Sequence, residues 1–361
     1  MIIESVKLKN YRNYEMLDLR FDRGTNIFYG DNAQGKTNIL EALYVSGTTK
    51  SHRSSRDGEI IRFEEEEAHI QTNVEKQEIN YRIDMHLKQH KSKGIAINGV
   101  SIKKASQLFG IVNIIFFSPE DLSIIKDAPQ IRRKFMDSEL CQLNKSYLFH
   151  LTNYNKVLNN RNKLLKDIYF RPDLKETLFL WDEQLIEYGS KIIEKRQEFI
   201  DRLNEIITEI HFRISGGREK LRVEYVPNTK KEALETAVKG NHEADLSRKM
   251  TLFGPHRDDL CFYVNDINIH KFGSQGQQRT AALSLKMAEI ELVKDFIKDT
   301  PVLLLDDVLS ELDSNRQNEL LNSISDIQTF ITCTGLDEFV NNRFKINKIF
   351  QVHCGKVTVE N

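Results

Sequence analysis

The sequence predicts an α/β protein whose sheet is interrupted by a helical insertion, and three observations carry that prediction. Short apolar runs that read as strands fill both ends of the chain. From about Gln130 to Phe212, apolar residues instead recur near 3.6-residue spacing, the period of a helix with one buried face. The 361 residues also suggest two domains, or one large domain with an insertion. The division that follows is an N-terminal α/β part over 1–125, a helical arm over 126–215 and a C-terminal α/β part over 216–361.

In chain order, Ile2–Lys9, Met16–Phe21 and Thr25–Tyr29 are short and rich in alternating apolar residues, as strands should be. Ile95–Ile102 carries Asn98-Gly99 between apolar runs, a hairpin signal because that pair accepts positive φ. Ile111–Phe117 is a continuous apolar run ended by Ser118-Pro119, consistent with a buried strand. The arm opens with a stripe through Ile131, Phe135, Leu140, Leu143, Tyr147, Leu151, Tyr154, Leu158 and Leu165. Arg171-Pro172 breaks it, and a second helical stretch runs from Leu174 to Phe212, closed by Gly216-Gly217. An antiparallel arm follows, too short for a coiled-coil rod. Strands at Leu221–Tyr225 and Leu260–Val264 then precede a helix over Gln277–Ile297 and a buried strand at Val302–Leu305. A helix near Ser314–Ser325 and strands at Thr329–Cys333 and Ile349–His353 complete the set. The two α/β parts are expected to share one sheet.

Composition removes several classes. Lys+Arg number 52 against 53 Asp+Glu, which excludes a wholly basic coat but not a local basic surface. The four cysteines form no CxxC pair and read as reduced thiols, neither a disulfide framework nor a zinc site. The charged, alternating start is no signal peptide, and no run of 18 apolar residues occurs. The expectation is a soluble, cytoplasmic protein with no membrane attachment.

Gly30-Asp31-Asn32-Ala33-Gln34-Gly35-Lys36-Thr37 matches GxxxxGK[ST] at every fixed position. The glycines let backbone N–H groups curl around phosphates, Lys36 reaches the β/γ-phosphates, and the Thr37 hydroxyl ligates Mg²⁺. A strand precedes the loop, and a helix with Ile39, Leu40, Leu43 and Val45 follows, adding its positive N-terminus. The nucleotide contacts are assigned to Gly30, Asn32, Gly35, Lys36, Thr37 and Asn38, with ATP and Mg²⁺ as cofactors. Pro301-Val302-Leu303-Leu304-Leu305-Asp306-Asp307 supplies the acidic partner. Asp306 holds Mg²⁺ together with Thr37, and Asp307 is placed to polarise the attacking water. Lys36, Asp306 and Asp307 are thus the candidate catalytic residues.

Just before the helix at 277 stands Phe272-Gly273-Ser274-Gln275-Gly276-Gln277-Gln278-Arg279. It resembles the signature motif of ABC-type ATPases, one helix before the acidic strand. The fold expectation narrows accordingly to an ABC-type P-loop ATPase head with antiparallel N-terminal strands and an inserted helical arm. In that superfamily Ser274, Gly276 and Gln277 would meet the γ-phosphate bound to a second subunit. Glu311-Leu312-Asp313 resembles the loop that crosses the same interface, so the resemblance implies an ATP-dependent head-to-tail homodimer.

The likeness extends further. KLKNYRNY (Lys7–Tyr14), GDNAQGKTNILEALY (Gly30–Tyr44), SHRSSRD (Ser51–Asp57), FFSPEDL (Phe116–Leu122), FGPHRDDL (Phe253–Leu260), FGSQGQQRTAALSLKMAE (Phe272–Glu289) and LLLDDVLSELD (Leu303–Asp313) resemble the bacterial RecF family over nearly the whole chain. The resemblance implies DNA repair at the nucleoid: ATP-dependent binding to single- and double-stranded DNA at gaps or junctions. It also implies work with RecR and RecO in loading recombinase onto single-stranded DNA. Arg12 and Asn13 are expected at the nucleotide, and Ser51-His52-Arg53 either at ATP or in communication with DNA, or else in an exposed polar loop.

Two departures from general ABC enzymes point to a weak ATPase that acts as a switch. Asp307 stands where many carry Glu, and Thr332-Cys333-Thr334 lacks a switch histidine. Ser118-Pro119-Glu120-Asp121 likewise lacks the glutamine of a γ-phosphate sensor. His256-Arg257-Asp258 has no nucleophile nearby and reads as structural. Lys103-Lys104, Arg132-Arg133-Lys134 and Arg218/Lys220/Arg222 are candidates for DNA phosphate contacts. The alternative function is the nucleotide-binding subunit of a transporter, which the helical arm does not suit. A nuclease is disfavoured because only 48 residues follow Asp313.

Overall fold

Alternating burial of Val6, Leu8 and Tyr11 with exposed polar neighbours sets the first strand, β1 (Ile2–Tyr11), which turns at Arg12-Asn13 into β2 (Tyr14–Arg20). The structure, a computed structural model, describes all residues except 55, 105–106, 325, 337–345 and 361. β3 (Thr25–Tyr29) and α1 (Lys36–Thr48) flank the glycine loop, followed by β4 (Glu67–Lys76), β5 (Ile79–Lys88), β6 (Gly94–Ile97), β7 (Val100–Ser101) and β8 (Ile114–Phe117). Helices α2 (Leu122–Lys126), α3 (Pro129–Leu143), α4 (Lys145–Asp167) and α5 (Leu178–Ile214) lead to β9 (Leu221–Val226), α6 (Leu234–Gly240) and α7 (His242–Arg248). The chain continues through β10 (Asp259–Val264), β11 (Ile267–Asn268), α8 (Ile269–Phe272) and α9 (Gln275–Ile297). It ends with β12 (Val302–Asp306), α10 (Ser314–Ser323), β13 (Thr329–Cys333), β14 (Ile346–His353) and β15 (Lys356–Glu360). These form two compact units, Met1–Asp121 with Glu289–Asn361, and Leu122–Ala288.

The first unit contains two sheets. One runs β2-β1-β4-β5-β6-β7 and is antiparallel throughout. The other runs β15-β14-β3-β13-β12-β8, parallel except for the β14–β15 hairpin. Strands from both ends of the sequence therefore share one sheet, with Lys36 after β3 and Asp306 closing β12. Ile70, Ile83, Leu40, Leu43, Phe28, Leu304 and Phe350 belong to one core, in which both sheets enclose α1. Phe28 stacks on Phe350 with centroids 4.8 Å apart, fixing β14 beside the nucleotide-loop strand.

In the second unit α5 buries Leu185, Ile192, Arg196, Phe199, Leu203, Ile207 and Ile210, one stripe at helical spacing. Arg161 of α4, fully buried, donates to Asp182 at 2.8 Å, to Asp245 at 2.7 Å and to the Thr251 hydroxyl at 2.8 Å. That network joins α4, α5, α7 and the loop after α7. The unit reaches well beyond residue 215, because β11-β10-β9 form a separate antiparallel sheet. β9 and β10 were expected in the shared sheet; they pair instead with each other, and Asn204 of α5 bonds both backbone groups of Val223.

The first arm stretch is also divided. Asn144 ends α3 and caps α4, accepting the N–H groups of Ser146 and Tyr147 at 2.9 and 3.0 Å. The expected end of α10 at Ser325 lies outside the described residues.

Candidate nucleotide site

Gly30 and Gly35 have φ of 147° and 114°, where side chains are strained. A Cβ on Gly30 would lie 2.2 Å from the Val352 carbonyl oxygen, and one on Gly35 2.5 Å from Asn13 Nδ2. Lys36 is buried, and its ammonium donates to the carbonyls of Gly30 at 2.6 Å and Asp31 at 2.9 Å. Gly35 precedes α1 with no side-chain cap, so the helix start is open to an anion. Asp31 and Asn32 are exposed at the rim of the loop.

The acidic strand faces this loop. Thr37 Oγ1 donates to Asp306 Oδ1 at 2.9 Å, and Thr332 Oγ1 donates to the same oxygen at 2.7 Å. The Thr332 hydroxyl in turn accepts the Asp307 N–H at 2.9 Å. Asp307 leaves β12 with φ of 52°, a conformation a short polar side chain tolerates. Burial pushes the Asp306 carboxyl above its ordinary value; the hydroxyls of Thr332 and Thr37 and the charge of Arg53 oppose that, while Asp307 adds to it. The donor set fits Mg²⁺: a hydroxyl and a carboxylate, both hard oxygens, within one hydrogen bond of each other beside the loop. When bound there, Mg²⁺ would neutralise charge on the β- and γ-phosphates.

Asn13 and Arg12 sit on the turn between β1 and β2. Asn13 Nδ2 donates to the Gln34 carbonyl at 2.9 Å, and Asn38 Nδ2 donates to Asn13 Oδ1 at 2.8 Å. Arg12 is held bidentately by the fully buried Glu41, at 2.8 and 2.6 Å, and donates further to Ser54 Oγ and the Glu59 carbonyl. Burial raises the Glu41 pKa, but the hydrogen bonds of Arg12 and Ser51 outweigh it and hold the carboxyl below its ordinary value. The Ser51–Arg53 segment reaches the same region: Ser51 bonds Glu41, the His52 ring lies tilted against Phe116 with centroids 3.9 Å apart, and Arg53 donates to Asn38 Oδ1 at 3.2 Å. After β8, the Ser118 N–H bonds the Asp121 carboxylate at 2.8 Å, so that turn caps itself.

The signature segment, in the second unit, forms a reciprocal capping box. The Gln277 N–H donates to Ser274 Oγ at 3.1 Å, and the Ser274 N–H donates to Gln277 Oε1 at 3.0 Å. Gln277 Nε2 also donates to Glu219 at 2.8 Å. Ser274 and Gly276 are exposed at the start of the 23-residue α9. A helix start with a serine hydroxyl and an unhindered glycine is a ready anion site. Asp313 caps α10 through the N–H groups of Asn315 and Arg316, at 3.1 and 3.0 Å.

A family model described as the RecF/RecN/SMC N terminal domain matches residues 2–358. The DNA replication and repair protein RecF of Lachnospira eligens is 62% identical over 363 residues, covering 100% of both chains. The chain belongs to the RecF family. RecF of Agathobacter rectalis is 63% identical, with 99% of each chain covered. A solved structure of the recombination mediator protein RecF-ATP in the RecFOR pathway is 34% identical, with TM-score 0.93 and 100% and 98% of the two chains covered. An Smc head, 16% identical with TM-score 0.57 over 100% and 97% of the chains, shares the fold alone. The fold is thus that of RecF and SMC heads, the ABC-type ATPase fold.

Within this RecF-family chain several basic candidates are already engaged. Arg132 is buried and bidentate on Asp259, at 2.6 and 3.0 Å, and Arg133 donates to the Asp258 carbonyl at 2.7 Å. Their spacing read as a surface cluster, yet helix α3 turns both toward β10. Arg222 pairs with Glu224 at 3.2 Å and lies over the Tyr263 ring, whereas Lys103, Lys104 and Lys220 are exposed. Asp258 is a buried hub that accepts from Arg196, Tyr225 and the Asn228 N–H. Sequence reading missed Thr332 as a link between the two aspartates. Its only signal was its place at the end of an apolar strand. Gln34 was also missed; its side chain accepts the Cys354 N–H at 2.6 Å, a contact no local motif announces.

Proposed function

We propose that the chain is an ATP-gated DNA clamp of recombinational repair. ATP with Mg²⁺ would occupy the loop of Gly30, Asn32, Gly35, Lys36, Thr37 and Asn38, with Thr37 and Asp306 toward the ion. The observation that carries this reading is the 2.9 Å bond between Thr37 and Asp306 beside the Lys36 loop. It brings the loop and the acidic strand to one point from 269 positions apart. Asp307, tied to Thr332, would orient the attacking water, and Lys36 would meet charge on the transferred phosphoryl group.

Ser274, Gly276 and Gln277 would complete the γ-phosphate site of a second copy, head to tail. The capping box supports this, because it orders the helix start before any anion arrives. Slow hydrolysis would then reset the dimer, so the nucleotide works as a latch. The names of the relatives support DNA repair and the RecFOR pathway; DNA gaps or junctions would be the substrate, and RecR and RecO the partners. Among the described residues no helix is long and apolar enough to cross a membrane. The clamp would act in the cytoplasm, associated with the nucleoid.

The test is solution mass with ATP, ADP or no nucleotide, each with and without gapped DNA. Dimers should form with ATP and be enriched on gapped DNA. If Lys36→Arg dimerised on gapped DNA equally with and without ATP, the latch would be wrong.

A further inference from the structure

The outer face of the antiparallel sheet carries a side-chain cluster that the nucleotide site does not use. β4 buries Ala68, Ile70, Thr72 and Val74 and turns Glu67 and His69 outward; β5 buries Ile83, Met85 and Leu87 and turns His86 and Lys88 outward. His69 and His86 are direct cross-strand partners, so their Cβ atoms stand about 5 Å apart. Glu67, two residues before His69, lies on the same face. The imidazole rings are nearly parallel, 19° between planes and 4.0 Å between centroids. Both present Nε2 to one carboxylate: His86 at 3.0 Å from Glu67 Oε2 and His69 at 3.7 Å from Oε1.

We propose that Glu67, His69 and His86 bind a divalent transition-metal ion, with Zn²⁺ the ion that fits best. The three ligand atoms lie within 4.8 Å of one another. Around a tetrahedral ion with ligand distances near 2.1 Å, ligand atoms stand roughly 3.4 Å apart. The observed 3.0 and 3.7 Å, measured to the two oxygens of Glu67, lie on either side of that spacing. Two imidazoles and a carboxylate form a borderline-soft set that suits Zn²⁺ and disfavours Mg²⁺. Water takes the fourth position, because the face is solvent-exposed.

A plain ion pair would need one imidazole. Here two stacked rings converge on the same carboxylate, which among the described residues has one further partner, Lys88 Nζ at 3.1 Å. Lys88 is the built-in competitor, since its ammonium holds the same Glu67 oxygen that His86 faces. Lys9 is paired with His69 from β1 and adds positive charge on the other side. Both lysines weaken the site, making it one that responds to metal supply rather than one permanently filled. Bound metal would pin β4 to β5 by a cross-strand clip.

The experiment uses untagged full-length protein with Mg²⁺ and ADP, so that the nucleotide site is occupied, and titrates Zn²⁺ against a chromophoric chelator. One equivalent should bind. His69→Ala, His86→Ala and Glu67→Gln should each weaken it by more than about a hundredfold, beyond what the loss of an outer-shell partner costs. Lys88→Ala should tighten it, which a purely structural ion pair does not predict. Cu²⁺ in the same site should show nitrogen couplings from two imidazoles, one of them lost in each single histidine variant. Wild-type affinity retained in His69→Ala/His86→Ala would assign the ion to thiols or to the nucleotide site and overturn the proposal. Absence of a Zn²⁺ equivalent in the wild type would overturn it too. Circular dichroism of each variant should match the wild type, since all four side chains lie on the solvent face.

Discussion

Replacing Arg12 with alanine tests whether this residue acts through Glu41 or directly on the nucleotide. Arg12 donates twice to Glu41, at 2.8 and 2.6 Å, and the Glu41 side chain is 0% exposed while that of Arg12 is 20% exposed. Removing one partner of a buried pair costs roughly 3–5 kcal/mol, because the other charge stays desolvated. The partial exposure of Arg12 and the remaining Ser51 bond to Glu41 place the expected loss near the lower end, about 3 kcal/mol. In Arg12→Ala/Glu41→Gln no charge is left buried, so about 1–3 kcal/mol should return as coupling energy. Urea unfolding followed by circular dichroism measures both variants. Trp181, the single tryptophan, lies on α5 in the other unit and gives an internal control by fluorescence. ATP affinity, measured in parallel, should fall in the single variant and recover in the double if Arg12 acts by positioning. If Glu41→Gln returns no stability to Arg12→Ala, a stranded Glu41 charge is not the cause of the loss. Stability that returns without ATP affinity would instead place the guanidinium on the nucleotide.

Thr332→Val removes the hydroxyl that bonds Asp306 and receives the Asp307 N–H, so turnover should drop about 10–100-fold with ATP affinity changed less; steady-state kcat beside an ATP titration separates the two. Gly35→Ala places a Cβ 2.5 Å from Asn13 Nδ2 at a φ of 114°, and calorimetry should find ATP binding weakened at least about tenfold. Arg161→Met leaves Asp245 buried without its cation and Asp182 with the His242 imidazole beside it, and Trp181 fluorescence in urea should report a loss of roughly 3–5 kcal/mol. Burial lowers the His256 pKa from 6.5 to about 4. On acidification the unfolded chain therefore takes up this proton first, and stability drains away as pH falls from 6.5 toward 4, by about 3 kcal/mol in all. His256→Gln lacks that loss, so its deficit against wild type should narrow by roughly 2–3 kcal/mol between pH 7 and 4.5 in urea titrations.

The parts of this molecule legible in its sequence are those whose cause is local. A phosphate loop needs glycines at two fixed positions and a lysine after the second, so Gly30–Thr37 announces itself. Val302–Leu305 announces itself as a buried strand because parallel strands are apolar on both faces. Helical periodicity found the arm, but it could not see Asn144 break it, since a cap changes no apolar spacing. It also carried no information about β9 and β10. A strand's sheet is set by its partners, and those partners lie on either side of a long helical excursion. The basic triplet at Arg132 misled for a related reason. Charge in a sequence looks like surface, whereas Arg132, Arg161 and Arg196 are buried beside carboxylates remote in sequence.

The same distinction explains how the loop is held. Its glycines permit the curve, but other segments impose it. The Gln34 carbonyl accepts from Asn13 Nδ2 at 2.9 Å and from the Gly355 N–H at 3.3 Å, and the Gly35 carbonyl accepts from the Tyr14 hydroxyl at 3.1 Å. Val352 sits so close under Gly30 that no side chain fits between. The first hairpin and the last therefore clamp the loop from opposite ends of the sequence. Binding free energy need not be spent ordering a loop fixed in this way, which favours tight phosphate capture. It also means that a change at the β14–β15 turn acts on the phosphate loop directly, although 320 positions separate Cys354 from Gln34. Nucleotide affinity is in that sense a property of the parallel sheet as a whole, and the motif is the part of it that sequence displays.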